Sequence, residues 1–90
     1  MRVNQRRSDV EIIAEMLRIG ANGAAKTKIM YNANMSYNQM KKYLGFLISQ
    51  GYLDSVRAGN PSVTYQATER GLDLLKYIDA FIEIFGLYGD

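Results

Sequence analysis

Two Ser-x-x-Glu/Gln boxes, Ser8 with Glu11 and Ser36 with Gln39, each open an apolar-periodic run that closes on a glycine, Gly20 and Gly51. A serine hydroxyl caps the third backbone amide of a helix, and the Glu or Gln side chain reaches back to the serine N–H. Glycine ends such a run because it takes the left-handed turn that other residues resist. The chain is thereby divided into short helices. The first is expected over residues 9–19, with Val10, Ile13, Ala14 and Leu17 on one face and Ile12 and Met16 beside them. Glu11, Glu15 and Arg18 lie opposite. Glu11 and Glu15, one turn apart, read as solvated face rather than as a cation site.

Between the boxes, Gly20-Ala21-Asn22-Gly23 is a loop, and residues 24–26 form a short extended piece. Thr27 is expected to cap a second helix to about residue 31, with Ile29 and Met30 inward. Asn32-Ala33-Asn34-Met35 is a turn, since asparagine tolerates left-handed backbone. The third helix runs to about residue 50. At 100° per residue, Met40, Tyr43, Leu44, Leu47 and Ile48 share one arc. Asn38, Gln39, Lys41, Lys42, Gly45 and Ser49 fall opposite, a polar face with two cations, two amides and no carboxylate. Phe46 lies at its edge, where a polar residue belongs. Gly45 costs this helix about 1 kcal/mol relative to alanine. Close approach of another backbone is one reason to keep it, and drift is the other.

After Gly51 the period changes. Residues 52–58 and 63–68 read as strands, the second alternating cleanly as Val63, Tyr65 and Ala67 against Thr64 and Gln66. Gly59-Asn60-Pro61-Ser62 between them is a turn cluster holding the only proline. Thr68 caps a last helix, expected over residues 69–85. Its apolar residues spread over about 180°, wider than the ~100° stripe that one core contact needs. Phe81, Ile84, Phe85 and Tyr88 are left over, an apolar patch that implies a partner. The spacing Leu75, Ile78, Ile82, Phe85 suits helix pairing, and with Leu74 and Phe81 these residues form the candidate dimer interface. On this reading Phe81→Asp or Ile82→Asp splits a dimer, and Asp79→Ala does not.

The order of elements is mainly α with a small β-hairpin (α+β). Two helices on a tight turn match a helix-turn-helix, and the hairpin matches a wing. The expected layout is a basic N-terminal arm (1–7), a winged-helix DNA-binding domain (8–68) and a C-terminal dimerisation helix and tail (69–90). An α-helix fits the B-DNA major groove, and its N-terminal side chains reach base edges. Ser36, Tyr37, Asn38 and Gln39 sit at that end of the third helix, and Lys41 and Lys42 are placed for phosphates. Lys26 and Lys28 begin the second helix, and Arg57 and Asn60 would reach out from the wing. Charge agrees with this. Residues 1–67 hold nine Lys/Arg against four Asp/Glu, a net of +5, whereas residues 68–90 carry −3. A basic body suits a polyanion.

Ala25-Lys26-Thr27-Lys28-Ile29-Met30-Tyr31 followed by Ala33-Asn34-Met35-Ser36-Tyr37 resembles a segment of the small archaeal winged-helix chromatin-associated proteins, of about this size. Tyr43-Leu44, Leu47 and Gly51-Tyr52-Leu53, then Tyr65-Gln66-Ala67-Thr68-Glu69-Arg70-Gly71, resemble a pattern shared by many winged helices. The resemblance spans about residues 8–85. It implies non-enzymatic binding of double-stranded DNA by a homodimer that pairs its last helices antiparallel; the acid-free face of the third helix and the basic body lead to a role as transcription regulator or nucleoid-associated protein. The last helix here ends near Gly86, where members of that group often carry a longer rod.

Composition excludes most other classes. Cys and His are both absent, so disulfides, thiolate or imidazole metal sites and any His base are ruled out. No cofactor, metal or small-molecule substrate is expected, and Ser36 has no base near it in sequence. No apolar run approaches the ~18 residues of a membrane span. The basic N-terminus lacks a signal peptide's apolar stretch, so a cytoplasmic, nucleoid-associated location is expected. Two other readings remain open. A protein–protein module would use Phe46 and the last helix. RNA binding lacks the aromatic ladder on a strand that it would use.

Overall fold

The computed structural model describes residues 8–57 and 63–86. The expected arm over residues 1–7, the hairpin tip with Asn60, and Tyr88 lie outside these. Six elements follow in order: α1 (Asp9–Gly20), α2 (Lys26–Asn32), α3 (Tyr37–Ser49), β1 (Leu53–Arg57), β2 (Val63–Ala67) and α4 (Glu69–Ile84). The fold is mainly α with one hairpin, as the order of signals requires.

Both capping boxes are closed. The Ser8 hydroxyl accepts from Glu11 N at 3.2 Å, and Glu11 Oε1 accepts from Ser8 N at 3.0 Å. Gly51 follows α3 at φ +80°, the conformation that ends the helix, and Asn34 takes φ +55° in the turn between α2 and α3, whereas Gly20 takes no left-handed turn: it is the last residue of α1, and the C-cap is Ala21 in right-handed backbone. The second helix starts differently from expectation. Ala25, not Thr27, is its N-cap, so Lys26 and Thr27 already lie in the helix and no side chain caps it. The extended piece contracts to Ala24, which exchanges two backbone bonds with Tyr65 (3.0 and 2.8 Å) and adds a third strand position to the hairpin.

The hairpin is antiparallel, with Leu53 opposite Ala67 and Arg57 opposite Val63. Its buried end and α1, α2 and α3 enclose one core built around Met16, Leu17, Ile29, Met40, Leu47 and Leu53. Two expected core positions turn outward. Val10 and Ile48 are each 39% exposed. Val10 lies in the first turn of α1. Ile48 lies beyond the edge of the arc that Met40, Leu44 and Leu47 bury.

The start of α4 is fixed tightly. The Thr68 hydroxyl accepts from Gly71 N at 2.9 Å and donates to Gly51 O at 2.7 Å. Arg70 Nε donates to Gln50 O at 3.0 Å, with its guanidinium 4.9 Å from the centre of the Tyr52 ring. A Cβ at Gly71 would stand 2.1 Å from the Tyr52 carbonyl oxygen. Only glycine lets the first turn of α4 come this close to the entrance of β1. From there α4 runs back along α1.

Candidate nucleic-acid interface

The second helix of the α2–α3 pair presents its polar face to solvent. Met40, Leu44 and Leu47 are buried, and Tyr37, Asn38, Gln39, Lys41, Lys42, Gly45 and Ser49 are all exposed. The capping box fixes where this face begins. The Ser36 hydroxyl accepts from Gln39 N at 3.1 Å, and Gln39 Oε1 accepts from Ser36 N at 3.4 Å. Gln39 is therefore engaged through its carbonyl oxygen and offers its NH₂ donors outward. A bidentate adenine contact needs donor and acceptor together. Asn38 retains both, because its amide makes no hydrogen bond among the described residues.

The lysines lean on tyrosines. Lys41 Nζ lies 5.3 Å from the centre of the Tyr37 ring, and Lys42 Nζ lies 5.9 Å from that of Tyr43. Cation–π attraction of this kind steadies a flexible ammonium group while leaving its N–H donors available. The acid nearest in bonding terms is Asp9, which accepts a hydrogen bond from the Tyr43 hydroxyl. Tyr43 borders the buried arc, so Asp9 stands at the side of α3 and not on its outward face.

The other cations expected at the site are exposed on the elements that precede and follow α3. Lys26 and Lys28 are exposed in the first turn of α2, and Arg57 is exposed at the far end of β1. One residue that sequence reasoning passed over joins them. Tyr31 is 78% exposed. It stands about 200° around α2 from the buried Ile29, which places it with Thr27 and Lys28. The two-residue offset from Ile29 was the available signal. A tyrosine hydroxyl is a common phosphate donor.

Against α4 the structure sorts the expected dimer residues into two groups. Leu74 and Leu75 pack on the chain's own core, Ile78 is half-buried, and Ile82 has 0% exposure. Phe81 and Phe85 are exposed, their ring centroids 4.7 Å apart. Tyr77, Phe81 and Ile84, spaced four and three residues apart, form the stripe that faces away from the body.

A family model described as winged helix-turn-helix matches residues 6–85. The chain belongs to the winged helix-turn-helix family. An uncharacterized protein of Methanocaldococcus jannaschii is 35% identical over 80 residues, covering 88% of this chain and 77% of that one. The crystal structure of Sso10a-2, a DNA-binding protein from Sulfolobus solfataricus, superposes with a TM-score of 0.79 at 32% identity, over 91% of this chain and 86% of that one. Lactococcus lactis ZitR in complex with DNA shares the fold at a TM-score of 0.68 and 23% identity, over 98% of this chain and 65% of that one. In winged helix-turn-helix terms, α2 and α3 are the helix-turn-helix and β1–β2 is the wing. No helix among the described residues is long and apolar enough to cross a membrane.

Proposed function

We propose that this winged helix-turn-helix protein binds double-stranded DNA as a homodimer, at the nucleoid, as a transcription regulator or nucleoid-associated protein. The observation that carries the reading is the outward face of α3. It offers an uncommitted Asn38 amide and two lysines steadied on tyrosines, and it has no carboxylate. A helix face that is merely solvated gains nothing from excluding acids. One that meets phosphates does. Lys26, Lys28 and Tyr31 of α2 and Arg57 of β1 extend the contact to flanking phosphates. The likeness to Sso10a-2, a DNA-binding protein, across most of both chains supports the same reading.

The homodimer rests on Tyr77, Phe81 and Ile84, an apolar stripe left largely exposed by the described residues. Two copies joined there would carry two α3 helices, suited to successive major grooves about 34 Å apart.

The test is duplex binding by the Lys41→Glu, Lys42→Glu double variant. Binding should be lost with the fold intact, and full retention would refute the proposal. A second reading, a protein-docking module, draws on Phe46, which is 46% exposed at the border of this face. It would gain from a Phe46-dependent protein partner together with no duplex binding.

A further inference from the structure

Gly45 sits near the middle of the 13-residue α3. A glycine in a helix interior is unfavourable relative to alanine, so its presence needs a reason. Left-handed backbone is not that reason, because Gly45 is absent from the positive-φ glycines. Crowding by the described residues is not the reason either. A Cβ built at Gly45 meets nothing within 4 Å, whereas at Gly71 it would strike the Tyr52 carbonyl. What would approach Gly45 is none of the described residues.

Its position says what that is. Gly45 follows Lys41 by four residues, Lys42 by three and Asn38 by seven, so it shares their outward column and is one or two turns further along. Phe46 and Ile48, both exposed, stand to either side of it. The floor between them is bare main chain, entered past two lysines.

We propose that Gly45 is a positioning residue for DNA: the duplex seats against the α3 main chain there, and the missing side chain sets how deeply the helix enters the groove. The proposal rests on the DNA-binding reading above. Two lysines and no acid beside the gap favour a phosphodiester or base edge over a protein segment as its occupant.

The experiment is fluorescence anisotropy with labelled duplexes on the full chain and its Gly45→Ala and Gly45→Leu variants, alongside thermal melts. Alanine should raise the melting temperature by roughly 4–8 °C through helix propensity alone. The same substitution should raise Kd about tenfold, and leucine should raise it further. A purely structural role cannot move stability and affinity in opposite directions this way. Equal affinity across glycine, alanine and leucine would overturn the proposal. A parent chain that binds no duplex would overturn the DNA-binding reading itself, a failure visible before any variant is compared.

Discussion

Arg18 of α1 and Asp79 of α4 meet as a two-pronged fork, Nη1 to Oδ2 at 2.9 Å and Nη2 to Oδ1 at 3.2 Å. The pair joins the first helix of the body to the helix that carries the outward apolar stripe. Parallel N–H···O bonds fix the relative direction of two groups as well as their distance. Their side chains are 52% and 37% exposed, so water screens the attraction. Asp79→Ala is expected to cost about 0.5–1 kcal/mol in urea denaturation, less at high salt, and to leave the oligomeric state unchanged.

Gly71→Ala should be far more damaging. The added methyl would meet a backbone carbonyl, which cannot swing aside as a side chain does, so α4 must lift from β1. A loss of about 1–3 kcal/mol in the free energy of urea unfolding is expected. Thr68→Ala removes the cap of the same turn and should cost about 1–2 kcal/mol.

Much of this framework is legible in sequence because its causes are local. Ser8 with Glu11, Ser36 with Gln39, Thr68 and Gly51 each act within about one helical turn, and each does so in the structure. Other features depend on tertiary choice. Apolar residues occupy two stripes of α4, one through Leu75, Ile78 and Ile82 and one through Tyr77, Phe81 and Ile84. Periodicity cannot say which turns inward. The close approach of Gly71 to Tyr52 sets the rotation that decides it. The exposure of Ile48, and an α2 capped by Ala25 and not Thr27, have the same origin. Which way a short helix faces is settled by its neighbours.

That rotation separates two substitutions that sequence alone treats alike. Ile82 is fully enclosed by its own chain, so Ile82→Asp buries an unpaired carboxylate and should unfold the protomer. Phe81 is 49% exposed, so Phe81→Asp should leave the protomer folded. Sedimentation equilibrium should then show the parent chain at about twice 10.2 kDa and Phe81→Asp at the single value. Circular dichroism should show the loss of helix only for Ile82→Asp.

The side chain of Gln39 offers a finer test of the reading face. Its carbonyl oxygen is held by the capping box, whereas the Asn38 amide is uncommitted. Asn38→Ala should weaken duplex binding with little change in stability. Gln39→Ala should mainly lower stability, by about 0.5–1 kcal/mol. Gel shifts and urea denaturation of both variants check the contrast.

The most direct measurement of the central claim is duplex affinity followed across salt concentration. If a dimer neutralises about eight phosphates through the lysines of α2 and α3 and Arg57, log K should fall against log salt with a slope near −7. Affinity that does not change with salt would contradict an α3 face built to meet a phosphate backbone.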